Sequence, residues 1–167
     1  MKYIGAALCF LTSCLIGIFA GKNERERTAQ CEAFLDLFHY VKNQVSYFLA
    51  PTKRIYGSYE NPVLSELGFL DALRSHADDE VYFDVWNSAL EACRGRCKLS
   101  RAQYEIVAAF GSCIGKSNEE MQKNSFDYYI KTMTAETEKQ KTEMKKNIKL
   151  YRTLGFSIGA AIAILVI

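Results

Sequence analysis

Apolar and polar positions divide this chain into three stretches. Tyr3 to Ala20 is one unbroken apolar run and Leu154 to Ile167 another, and the charged middle contains nothing comparable. At the rise of an α-helix the first run reaches roughly 27 Å, close to the ~30 Å hydrocarbon core of a bilayer. The last reaches only about 21 Å, which calls for a short span, local thinning of the bilayer, or recruitment of Tyr151. The pattern predicts an all-α chain in three parts. Residues 1–21 form an N-terminal transmembrane anchor, 22–152 a small cytoplasmic helical bundle, and 153–167 a C-terminal transmembrane helix.

Within the middle stretch the apolar period is helical throughout. Cys31, Phe34, Leu35, Phe38, Val41, Val45, Phe48 and Leu49 form a stripe of about five turns that stops at Ala50-Pro51, because proline disfavours helix in the residue before it. No breaker separates Gly21 from Cys31, so this helix is expected to continue out of the first apolar run. Residues 52–61 read as a loop. In it Tyr56 and Tyr59 are expected to be exposed and, with Pro51, are candidates for partner contact, a solvated loop being the plainer reading. Asn61-Pro62 supplies an N-cap and a first-turn proline for a helix bearing Val63, Leu64, Leu67, Leu70 and Leu73 on one face. Asp78 is placed to cap the next helix, whose buried stripe is Tyr82, Val85, Trp86, Ala89, Leu90 and Cys93. Arg94-Gly95-Arg96 marks its end, with the glycine suited to a left-handed C-cap. Two capping boxes follow, Ser100 to Gln103 and Ser117 to Glu120. The second opens a helix free of glycine and proline as far as Leu154, which leads into the last apolar run. There are no alternating runs and no hairpin turns that would predict strands.

Charge orients the two apolar ends. Lys22, Arg25 and Arg27 follow the first, and Lys141, Lys145, Lys146, Lys149 and Arg152 precede the second. The positive-inside rule then puts residues 22–153 in the cytoplasm. Net charge is only +2, and its basic excess sits beside the apolar ends, which fits contact with anionic headgroups rather than with nucleic acid. Both ends carry small residues at every fourth position: Gly5, Cys9, Ser13, Gly17 and Gly21 in the first, Gly155, Gly159 and Ala163 in the second. Such spacing lets helices approach closely in lipid, although glycine and alanine are common in membrane helices in any case. Gly5, Gly17, Gly21, Gly155 and Gly159 are therefore candidate packing residues, between the two spans or against a partner's helices.

Other readings of the N-terminus remain open. Residues 2–20 could be a cleaved signal peptide ending near Ala20. Leu11-Thr12-Ser13-Cys14 also fits the pattern at which bacterial lipoproteins are cut and lipidated, which would make the chain an exported lipoprotein with a disulfide-bonded helical domain. The apolar run continuing through Leu15 to Phe19, where a polar tether is normal, favours a retained anchor.

Little of the chemistry points to catalysis. Of six cysteines, Cys31, Cys93, Cys97 and Cys113 lie outside the apolar ends. They stay reduced if the domain is cytoplasmic and could pair if it is exported. Cys93 and Cys97 could supply two metal ligands, but closing a zinc site would need Cys31, Cys113, His39 or His76; core positions are the plainer reading. Gly111 to Ser117 ends like a phosphate-binding loop yet has three residues, not four, between its glycines, and follows a helix rather than a strand. Asp78-Asp79-Glu80 matches the acidic bias of a helix's first turn. No cofactor and no enzymatic activity are expected.

Several segments carry a family resemblance over nearly the whole chain. Asn43-Gln44-Val45-Ser46-Tyr47-Phe48-Leu49-Ala50-Pro51 closes the first long helix, Val85-Trp86-Asn87-Ser88-Ala89-Leu90 supplies a tryptophan helix, Gly115 to Gln122 a helical corner, and Tyr151-Arg152-Thr153-Leu154-Gly155 the entry to the final run. In order and spacing they resemble stage III sporulation protein AB of endospore-forming bacteria. One departure is Lys53, where the family is associated with a second proline, and it bears on the loop shape. The resemblance implies a non-enzymatic membrane platform in the channel-like complex joining mother cell and forespore, in the mother-cell membrane around the forespore. It further implies a bundle similar to the cytoplasmic domain of the type II secretion F component. The implied partners are a secretion-type ATPase resembling stage III sporulation protein AA and other stage III membrane proteins, and a homo-oligomer is compatible with the same role. It supplies no catalytic residues.

Overall fold

With no proline before position 51, nothing in the first part of the chain removes a helical hydrogen bond, and α1 runs unbroken over Lys2–Phe48. The computed structural model describes residues 2–48, 56–75, 82–115 and 119–166. Beyond α1 they form α2 (Pro62–Leu67), α3 (Phe69–Arg74), α4 (Tyr82–Ala92), α5 (Arg101–Gly111) and α6 (Glu119–Val166), with a helical turn at 56–58. No strand occurs among the described residues. The chain separates into two compact units, one of Met1–Thr28 with Glu138–Ile167 and one of Ala29–Thr137. Residues 22–28 and 138–152, grouped with the bundle on sequence grounds, thus belong with the apolar ends.

The Ala29–Thr137 unit is organised around aromatic rings. Phe34 and Phe38 project from α1, Phe69 from α3, Trp86 from α4, Phe110 from α5 and Phe126 from α6, and all are fully buried. Phe38 stacks on Phe110 with centroids 3.8 Å apart, Phe34 and Trp86 meet Phe69 edge-on at 5.1 and 5.2 Å, and Phe126 lies 5.0 Å from Phe110. Each such burial contributes ~1.5–3 kcal/mol, and each ring pair adds about 1 kcal/mol. The exposed pairs Arg101–Glu105 and Arg94–Glu91 contribute far less, since water screens them.

The caps explain most helix starts. Asn61 Oδ1 accepts from the backbone N–H groups of Val63 and Leu64, at 3.0 and 3.2 Å, with Pro62 in the first turn. Ser100 and Gln103 form the expected capping box, each side chain accepting from the other's backbone N–H. Asp78 and the Ser117 box lie outside the described residues, as does Ala50-Pro51.

Two glycines behave otherwise than expected. The stripe from Val63 to Leu73 is not one helix: Gly68 takes the left-handed conformation at φ 82°, ending α2 and starting α3. A side chain there would also collide with the Arg96 guanidinium, which donates to the Glu66 carbonyl at 3.3 Å. Gly95 has no positive φ; the end of α4 is instead a tight turn in which the Arg96 and Cys97 N–H groups both bond the Cys93 carbonyl. Arg96 serves the end of α2 rather than its own helix.

Gly111 answers a different need. Trp86 packs against the backbone of α5 and donates its indole N–H to the Val107 carbonyl at 2.9 Å. A Cβ at Gly111 would stand 2.2 Å from Trp86 Cδ1. Gly111→Ala should therefore lower the stability of the detergent-extracted protein by about 3 kcal/mol. Gly57→Ala, where a Cβ meets nothing within 4 Å, should change it by under ~0.5 kcal/mol. Chemical unfolding followed by the fluorescence of Trp86, the chain's one tryptophan, reads both.

Candidate helix-pairing interface

The Met1–Thr28 and Glu138–Ile167 unit is built from the first part of α1 and the last part of α6, running antiparallel. Contact is closest where side chains are absent. A Cβ on Gly17 would stand 2.8 Å from the Tyr151 carbonyl oxygen, and one on Gly155 3.0 Å from the Ser13 carbonyl oxygen. A Cβ on Gly159 would lie 2.9 Å from the Phe10 ring. Gly21 faces Ile148 at ordinary contact distance, 3.6 Å. Ser13 Oγ donates to the Gly155 carbonyl at 2.8 Å, and Phe10 meets Phe156 edge-on at 5.7 Å. Four of the five candidate glycines thus line the crossing. Gly5 does not, since nothing lies within 4 Å of it. Cys9, Cys14 and Ala163 have side chains outside the described residues.

A polar clamp continues the seam and was not anticipated. Glu24 accepts from the Gln140 amide at 3.0 Å and from the Asn147 amide at 3.4 Å, while Thr28 Oγ1 donates to the Glu24 carbonyl. The signal lay in spacing: Gly17, Gly21, Glu24 and Thr28 share one helix face, so Glu24 had to face α6.

Outside the seam the unit is covered by large apolar side chains. Ile16 is 69% exposed, Phe19 66% and Ile164 77%. Among the described residues, no helix is long and apolar enough to cross a membrane. The side chains of Tyr3, Ile4, Ala6, Cys9 and Cys14, like those of Ala163, Leu165 and Val166, lie outside that description, as does Ile167. α1 is helical through position 14 to Phe48.

In the Ala29–Thr137 unit the expected contact loop is corrected. Tyr56 is 4% exposed and Tyr59 9%: both are core residues. Tyr56 packs near Trp86 and Tyr59 against Tyr40, and Arg74 donates to the carbonyl oxygens of both. A loop of mixed composition hid their burial, because the tyrosines fill space that only the folded helices enclose. Pro51 lies outside the described residues. Among the described residues of this unit the exposed large apolar side chains are Phe83 on α4 and Met121 and Tyr128 on α6, where the last two and half-buried Tyr129 line an open hollow of about 500 Å³ with Glu120, Asn124 and Ser125.

The family model for stage III sporulation protein AB matches residues 2–167. The chain belongs to the stage III sporulation protein AB family. A solved structure described as stage III sporulation protein AB (SpoIIIAB) shares the fold, with a TM-score of 0.59 at 18% identity over 72% of this chain and 97% of that one. No curated protein matches.

In this family member the cysteines of the Ala29–Thr137 unit lie in the core or against it. Cys31, Cys93 and Cys113 are buried, Cys97 is half-buried, and none forms a disulfide. Burial pushes the Cys93 thiol up to about 12, helped by neighbouring Cys97, and raises Cys97 as well. Among the described residues, no group of three His, Cys, Asp or Glu side chains could hold a metal ion. His39 is exposed on α1, while His76, Asp78, Asp79, Glu80 and Lys116 lie outside the described residues. Gly115, with φ 83°, turns the chain after α5. Buried glutamines that the sequence did not single out hold the loops. Gln30 bonds the Arg96 carbonyl and the Lys98 N–H, and Gln122 bonds the Cys113 carbonyl.

Two outcomes are expected. Gly17→Leu should cost about 1–3 kcal/mol of helix pairing and broaden the distance distribution between spin labels at exposed positions 16 and 156, with reactive native cysteines replaced; Gly5→Leu should leave it narrow. For the thiols, burial holds the Cys93 thiol protonated at pH 8. Site-resolved mass spectrometry should find it unmodified by Ellman's reagent in the native protein and fully modified in guanidinium. Rapid native modification of Cys93 would show that it is not sealed in the core.

Proposed function

We propose that this sporulation-family protein is a non-enzymatic membrane platform, anchored by the paired ends of α1 and α6. In this reading the Ala29–Thr137 bundle lies in the cytoplasm of the mother cell, where it couples a secretion-type ATPase to other stage III membrane proteins. The observation that carries it is the division of side chains in the paired ends: small residues at the crossing and large apolar ones outside. In water that exterior would be a costly apolar surface; in lipid it is matched to its solvent while the glycine seam supplies close packing. The lysines and arginines at 22–27 and 141–152 support the cytoplasmic side for the bundle.

The hollow on α6 is the proposed ATPase contact. Exposed methionine and tyrosine are enriched at protein interfaces, tyrosine among the residues that carry most binding energy, and here they are grouped on one helix. Affinity capture of the tagged, membrane-extracted protein from sporulating cells should recover a secretion-type ATPase and other stage III membrane proteins. Met121→Ala with Tyr128→Ala should lower recovery of the ATPase at least about tenfold, a loss of ~1.4 kcal/mol or more, while the membrane proteins still come down. Recovery of neither with an intact bait would remove the platform reading. Undiminished ATPase recovery in the double variant would remove the hollow as the contact.

A further inference from the structure

Where the seam leaves its apolar stretch, α1 and α6 enclose a notch of about 250 Å³. Its floor is Gly17, Gly21, Ile18 and Ile148, and its rim is Lys22, Arg25 and Arg152. The helical register makes this arrangement. Ile18, Lys22 and Arg25 follow one another up a face of α1, and Arg152 sits one turn beyond Ile148 on α6. The two glycines leave the floor without side chains, so the cavity exists because the seam does.

The charges converge without being neutralised. Lys22 has an exposed neighbour in Glu26 at 3.6 Å, but among the described residues neither Arg25 nor Arg152 has a carboxylate within ion-pair distance. The other acid nearby, Glu24, is held by the Gln140 and Asn147 amides. Three cations thus border an apolar floor, and exposed Ile18 continues that floor toward the apolar exterior.

We propose that this notch is a binding site for one anionic glycerophospholipid. The rim holds its phosphate and the floor receives the glycerol and first acyl carbons. A free phosphate would gain from the rim alone, with no backbone N–H nest to receive it, because both helices spend their mid-helix N–H groups internally. A lipid also uses the apolar floor, and basic pockets between membrane helices are sites of this kind. The inference rests on the membrane-anchored reading above.

The test uses the full chain reconstituted in nanodiscs of phosphatidylcholine alone or mixed with phosphatidylglycerol, followed by mass spectrometry of lipid retained after release. Wild type should insert in both and retain phosphatidylglycerol selectively, at about one per chain. Arg25→Gln with Arg152→Gln should weaken that retention by roughly 30-fold, at about fivefold per cation near an anionic surface. Lys145→Gln with Lys146→Gln, which removes equal charge from α6 outside the notch, should leave retention unchanged. Equal losses in the two variants would reduce the site to diffuse surface attraction. Full competition by soluble glycerophosphate would make it a phosphate site instead. Normal insertion with no selectivity would overturn the lipid site alone, whereas failure to insert in either disc would overturn the membrane anchor with it.

Discussion

The bundle depends on one contact, the indole of Trp86 laid against the backbone of α5 at Gly111. Close approach there lets a single large ring touch Phe69, Phe110 and Tyr56 while its N–H finds the Val107 carbonyl. Without it the polar edge of the indole would be buried unpaired, at a cost of about 1–3 kcal/mol. α1 and α6 then close over the remaining faces, and Lys42 pairs with Asp127 across them at the edge of the core.

The same principle governs the other unit with different chemistry. At Gly17, Gly155 and Gly159 backbone meets backbone or ring, and dispersion over this close crossing contributes to the attraction. This leaves the large apolar side chains facing outward, the reverse of the bundle, where most are buried and Phe83, Met121 and Tyr128 are the exposed ones among the described residues. That contrast is the physical basis for reading the paired ends as an anchor and the bundle as the working domain.

Polar residues take on structural work at the joins. Gln30, Gln103 and Gln122 satisfy loop and helix-start backbone groups from buried positions, and Glu24 is gripped by two amides at the end of the seam. Arg74 and Arg96 cover carbonyl oxygens of neighbouring segments. Such groups fix how helices and loops meet.

Helical period, proline and capping residues were sufficient on their own for the all-α class, the long α1 and α6, and the caps at Asn61 and Ser100. These are local properties, set by which side chains lie one turn apart and which backbone groups need a partner. The break at Gly68, the ordinary φ of Gly95 and the burial of Tyr56 and Tyr59 were decided only by tertiary structure. Each depends on a group distant in sequence: Arg96 over Gly68, the turn after Cys93, and Trp86, Tyr40 and Arg74 around the tyrosines. Gly111 shows both sides. The helical period that runs through it was visible in the sequence, but the reason it must lack a side chain is a ring 25 residues away in the chain that only the folded bundle brings to it.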